Sequence, residues 1–190
     1  MSRRASPRNW CDAGLRLLRD DGIGAVTIDQ LCAAMQKTKG SFYHHFRDID
    51  SYMAALLLRW EESQTEEPIQ AAGEEPDPLR RAARLVSAVL GLDHPLDAAV
   101  RAWALRNPQA RAAIDRVDNR RISYLARLYR MGGYRQPRML AELEYMAFVG
   151  GQQLGIFATP IRAARLGRAL RKALVQLGVG KVGGAPFPAQ

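Results

Sequence analysis

Apolar residues recur at helical spacing along nearly the whole chain, and strand-type alternation is almost absent. From residue 6 to 22, Trp10, Gly14, Leu17 and Leu18 fall along one side, and Asp21-Gly22 closes the segment. "TIDQLCAAM" then opens with a capping-box pattern, in which Thr27 can accept from the backbone N–H of Gln30 and Gln30 can reach back to Thr27. Its inward positions are Ile28, Leu31, Cys32 and Met35. A turn at about Gln36-Lys37 leads to a brief helix over 39–46. Asp48 then caps a longer helix carrying Ile49, Tyr52, Met53, Leu56 and Trp60 at three- to four-residue spacing.

The pattern breaks from Glu66 to Asp77, where Pro68, Gly73, Pro76 and four glutamates predict a loop or module boundary. Beyond it, a polar residue before proline marks helix starts at Asp77-Pro78, Asn107-Pro108 and Thr159-Pro160, with His94-Pro95 a weaker case. Stops are expected at Gly91, Gly132-Gly133 and Gly178. The fold class is therefore all-α: an N-terminal module over 1–65, a helical domain over 66–180 and a flexible tail over 181–190.

The densest chemistry lies in "KTKGSFYHHF", Lys37 to Phe46. At 100° per residue Phe42 and Phe46 fall about 40° apart and anchor the helix. Gly40, Tyr43 and His44 then lie on the opposite side, with Ser41 at its edge and Lys37 and Lys39 around the N-terminal end. Such a surface lacks the long Glu, Lys and Gln side chains that support exposed helices. Gly40 costs roughly 1 kcal/mol there against alanine, a cost that fits a helix another surface must approach closely. Two short helices joined by a turn and braced by the first helix make a helix-turn-helix unit, whose second helix enters the major groove.

Charge refines this picture only in part. The chain has 28 Lys and Arg against 19 Asp and Glu, a formal net charge of +9 and a pI near 10.1. That excess fits a polyanionic partner or Arg-rich solvated helix faces. Residues 1–60 hold nine cations against six acids, and residues 61–190 hold nineteen against thirteen, so charge alone does not locate a site. "MSRRASPRNW" has no apolar core of a signal peptide, and Met139 to Ala158 carries Glu142, Glu144, Gln152 and Gln153, against a membrane span. A cytoplasmic protein is expected. Cys11 and Cys32 read as small core residues, or alternatively as a redox switch.

Over residues 8–60 the chain resembles the TetR family of bacterial transcriptional regulators. Thr27, Lys39-Gly40-Ser41-Phe42-Tyr43-His44-His45-Phe46, Asp50 and the apolar helix after it carry the resemblance. It implies that Thr27 and Tyr43 hold phosphates and that Lys39, Ser41 and His44 sit near bases or backbone. His45 matches a position that touches phosphate in some members. The family usually has Gly-Val where this chain has Gln36-Lys37, and lysine where it has Ile49; Lys37 can compensate electrostatically from the turn.

Other chemistries find little support. Adjacent His44 and His45 point about 100° apart and do not share an ion easily, so no metal site is expected. Gly178-Val-Gly180-Lys-Val-Gly183 matches the dinucleotide-binding spacing but follows a helix rather than a strand. No nucleophile-elbow, Walker or zinc-protease pattern occurs, so neither enzymatic activity nor a cofactor is expected. In the C-terminal domain, Ala147, Gly151 and Gly155 form a small-residue stripe, and Gly167, Leu170, Leu174 and Leu177 an apolar seam. Both either bury within one subunit or, as the resemblance implies, form a homodimer that suits a two-fold symmetric DNA site. Trp103, Tyr124, Tyr145, Phe148 and Gln152 either fill the core or line a pocket for an apolar or aromatic effector. A ligand-relieved repressor on double-stranded DNA is the expected function. An activator, a ligand-independent regulator, or a small-molecule-binding protein without operator binding are the alternatives.

Overall fold

Helix boundaries follow local capping chemistry in the computed structural model, which describes residues 6–76 and 78–177. Helix α1 (Pro7–Asp21) starts at Ser6, which exchanges hydrogen bonds with Asn9, and stops at Gly22 with φ 79°. Helix α2 (Ile28–Met35) starts at Thr27, whose side chain accepts from Gln30 N–H. The reciprocal bond expected of Gln30 does not form: Thr27 N–H donates to Ala25 O at 2.9 Å, satisfied by the 3-10 turn before it. Helix α3 (Lys39–Tyr43) is shorter than expected and is capped by Thr38. Helix α4 (Ile49–Glu61) has the Asp48 cap, with Ser51 reciprocating.

The expected loop at 66–77 is largely helical. Helix α4 passes through a π-helical turn at Glu62–Glu66 into α5 (Glu67–Gly73). Pro68 sits in the first turn of α5, where its missing N–H costs nothing, and Ile69 and Ala72 are buried. Helices α6 (Pro78–Leu90), α7 (His94–Ala104), α8 (Pro108–Met131), α9 (Pro137–Gln153) and α10 (Pro160–Leu177) complete the chain. Asn107 caps α8 through a 2.9 Å bond from Ala110 N–H, while His94 is the first residue of α7 rather than its cap. Among the described residues the chain is all-helical. Asp77, the glycine pattern from Gly178 and the tail over 181–190 lie outside the described residues, as does the side chain of Leu177.

The chain forms two compact units. The first joins residues up to Gln64 with Pro95–Asp115; the second joins Thr65–His94 with the chain from Arg116 onward. In the first unit Phe42 is fully buried among Trp10, Phe46 and Tyr52, with ring centroids 5.3–5.6 Å away. Gly14 admits this packing, because a Cβ there would lie 1.9 Å from the Tyr52 hydroxyl. That hydroxyl donates to Trp10 O at 2.9 Å. Trp60 Nε1–H donates to buried Asp97 at 2.8 Å, tying α4 to α7. Cys11 lies in this core, where burial pushes its thiol up to about 11, as befits a packing residue.

The second unit is centred on Ala126, Tyr129, Leu140, Ala141 and Leu174, with Leu170 packed against them. Leu174, expected at a dimer seam, is 2% exposed within the single chain and belongs to this core. The small-residue stripe also changes. Gly155 lies beyond α9, in a left-handed turn with φ 64°, so it cannot continue a helical face. A Cβ on Gly151 would lie 3.0 Å from Phe157, so its smallness accommodates the chain's own aromatic ring. Ala147 is exposed, and Gly167 is half-buried with open space beside its backbone.

Candidate nucleic-acid interface and effector cluster

Two capped helix starts build the candidate interface. The Thr27 side chain accepts from Gln30 N–H at 3.3 Å, and Thr38 from Ser41 N–H at 3.3 Å. Each hydroxyl uses a lone pair in capping and keeps its own O–H, a donor that suits a phosphate oxygen. Between the helices, Gln36 adopts φ 50° and ψ 47°, and Lys37 N–H closes the turn on Cys32 O at 3.0 Å. The backbone thus makes the tight left-handed turn that glycine favours, without a glycine.

Phe42 fixes the orientation of α3. With its ring in the core, Tyr43 is 53% exposed, Lys39, Gly40 and His44 are also exposed, and Ser41, His45 and Lys37 are half-buried. A Cβ on Gly40 would meet only the Thr38 hydroxyl, at 3.7 Å, so no contact within the chain demands glycine there. The His44 and His45 rings stack edge-to-face at 5.0 Å. Among the described residues, no group of three or more His, Cys, Asp or Glu is placed to share a metal ion. Ile49 is half-buried in the first turn of α4 and offers no cation.

One contact was not legible beforehand. Lys39 Nζ lies 2.6 Å from Asp29 Oδ1, linking the start of α3 to the first turn of α2. The hydrogen bond to Asp29 raises the lysine pKa above its ordinary value, which keeps the ammonium charged. Asp29 sits ten residues before Lys39, a separation that no single-helix periodicity connects.

The residues expected around an effector do not all come together. Trp103 is buried in the first unit. Tyr124 packs with Ile69, Leu128 and Leu85 in the second. Tyr145, Phe148 and Gln152 do share one cluster on α9. Tyr145 OH donates to Asp118 at 2.6 Å, and Phe148 stacks on Tyr145 at 5.8 Å. Gln152 Nε2 lies 3.2 Å from His94 Nδ1. His94 stacks on Phe157 at 3.9 Å, and buried Arg121 lies 5.9 Å from the Phe148 ring centre and donates to Thr65. His94, Arg121 and Phe157 are the members the sequence reading missed, since each reaches the cluster from a different element.

The N-terminal arrangement defines a helix-turn-helix module of the DNA-binding type. Residues 11–56, which hold this module, match the family model described as "Bacterial regulatory proteins, tetR family". A comparison with curated proteins finds no match. Among solved structures, the chain resembles a transcriptional regulator from Rhodococcus sp. Rha1 at 18% identity and TM-score 0.72, over 90% of this chain and 95% of that one. It resembles a TetR-family regulator from Streptomyces coelicolor at 18% identity and TM-score 0.71, over 89% and 94%. A TetR regulator from Legionella pneumophila matches at 13% identity and TM-score 0.75, over 91% and 99%. At these identities the likeness is one of fold, and it extends across both units. No described helix is long and apolar enough to cross a membrane.

Proposed function

We propose that the protein is a cytoplasmic repressor that binds a palindromic DNA operator as a homodimer and is released by a small molecule. The observation that carries the DNA-reading role is the exposed surface of Gly40, Tyr43 and His44 on a helix pinned by Phe42. Thr27, Tyr43 and His45 hold phosphates, Lys37 adds positive charge from the turn, and Lys39, Ser41 and His44 lie towards the bases. Selection of genomic fragments by the purified protein tests this: a recurrent two-fold symmetric site is expected. Salt-sensitive binding to every fragment alike, with no site enriched, would refute it.

The proposed dimer surface uses side chains other than the expected seam. Met139, Met146, Leu154, Ile161 and Leu166, on or next to α9 and α10, are between 41% and 83% exposed. Exposed large apolar side chains on these two helices suit an association surface, and Ala147, Gly167 and Leu170 lie on the same two helices. For the effector, the Tyr145, Phe148, Gln152 and His94 cluster offers flat apolar surface together with directional polar groups, which suits a small aromatic compound. Such a molecule relieves repression only through unequal affinity for the operator-binding and released conformations.

A further inference from the structure

Asp29 is the one acidic residue between Thr27 and Arg47, the stretch that contains the whole proposed interface. Its carboxylate is 75% exposed and its partner Lys39 is 61% exposed. An exposed ion pair of this kind contributes little to folding, and the position in the first turn of α2 adds only a weak interaction with the helix dipole. A carboxylate held beside a surface for phosphates also repels them. Its placement there has a chemical use if the partner presents a hydrogen-bond donor.

The major-groove edge of duplex DNA presents such a donor at cytosine N4, directly beside the O6 and N7 acceptors of the paired guanine. A carboxylate and an ammonium held 2.6 Å apart match that donor and acceptor on one base-pair edge. We propose that Asp29 and Lys39 act as a unit that reads a C·G base pair, Asp29 accepting from cytosine N4 and Lys39 donating to guanine. Asp29 also keeps Lys39 from turning to the nearest phosphate, which makes it a specificity-determining residue. The inference rests on the DNA-reading function proposed above.

The test selects duplexes from a random library with the wild-type protein, Asp29→Ala, Asp29→Asn and Lys39→Ala, all checked for unchanged melting. Wild-type half-sites should share a C·G pair at one position, with discrimination of about 5- to 150-fold against other pairs. Asp29→Ala and Lys39→Ala should lose the preference at that position alone. Asp29→Asn should move it towards A·T, because a carboxamide pairs with adenine N6 and N7. Freed of its partner, Lys39 in Asp29→Ala should gain a phosphate, adding about a 3.5-fold loss of affinity between 50 and 200 mM salt. If Asp29→Ala keeps every wild-type base preference, the pair does not read DNA. Equal gains by Asp29→Ala on selected and random duplexes would reduce Asp29 to simple repulsion and also overturn the proposal. A wild-type protein that enriches no site would instead remove the DNA-reading function itself, and the pair's role with it.

Discussion

The opposition between Phe42 and Tyr43 was visible in the sequence, because 100° of helical rotation separates them and only one can enter the core. Phe42 and Phe46 are buried and Gly40, Tyr43 and His44 are exposed, as that rotation requires. Two neighbouring residues were not readable in the same way. Asp29 meets Lys39 only because of how α2 and α3 cross. Gln36 takes a left-handed conformation that its residue type does not announce. A non-glycine residue there carries a cost that glycine avoids. Gln36→Gly should therefore stabilise the protein by roughly 0.5–1 kcal/mol, seen as a higher denaturant midpoint at unchanged slope; no gain would show that Gln36 is unstrained. Tyr43→Phe should weaken binding to all duplexes by a similar factor if its hydroxyl holds phosphate. His44→Ala should cost about 1–3 kcal/mol at the selected site and less on random DNA. Equal losses on both duplexes for both variants would undo this division of roles.

At the scale of elements, starts and stops were legible where a side chain acts on its own backbone. Ser51 N–H to the Asp48 carboxylate is 2.7 Å, and Gly22, Gly91 and Gly132 each follow a helix end. The reading failed where tertiary packing overrides composition. Residues 66–73 carry glutamate, proline and glycine, yet Ile69 and Ala72 bury one side and hold α5 together. Gly155 breaks the expected stripe because small residues at four-residue spacing fit a helix face equally well when the last of them lies past the helix end. The Asp48 cap has a measurable pH signature. The backbone bond from Ser51 and the neighbouring Arg47 hold its carboxyl at about 2 in the folded protein, below the ordinary value near 3.9. The stabilisation is present above about pH 4 and is lost as pH falls towards 2. Asp48→Ala should melt at a lower temperature than wild type at neutral pH, and the gap should close over that acid range. A gap constant from pH 7 to pH 2 would mean that the charged cap is not its source.

For the whole molecule, the all-helical class and the DNA-binding module were readable, and the charge distribution does not locate the module for a physical reason. Helix α10 carries Arg162, Arg165, Arg168, Arg171 and Lys172 with no acid, so much of the positive excess lies far along the sequence from the reading helix. For the proposed association surface, the sequence pattern points to a pair of helices only. Which of their residues remain exposed depends on the subunit's own core, which takes Leu174 and leaves Met146 outward. Met146→Lys should weaken association in analytical ultracentrifugation while leaving the melting temperature at high protein dilution unchanged. A variant that sediments like the wild type at every concentration would exclude that surface.

In the proposed function, the Gly40, Tyr43 and His44 surface reads a DNA sequence. The most direct measurement compares affinity for the selected duplex and for a scrambled duplex of the same length and composition, between 50 and 200 mM salt. Affinity for both should fall steeply with salt as counterions are released. The selected duplex should nevertheless stay about 10³-fold tighter or more throughout. Equal affinity for the two duplexes at every salt concentration would contradict the account, leaving a basic protein that adheres to nucleic acid without reading it.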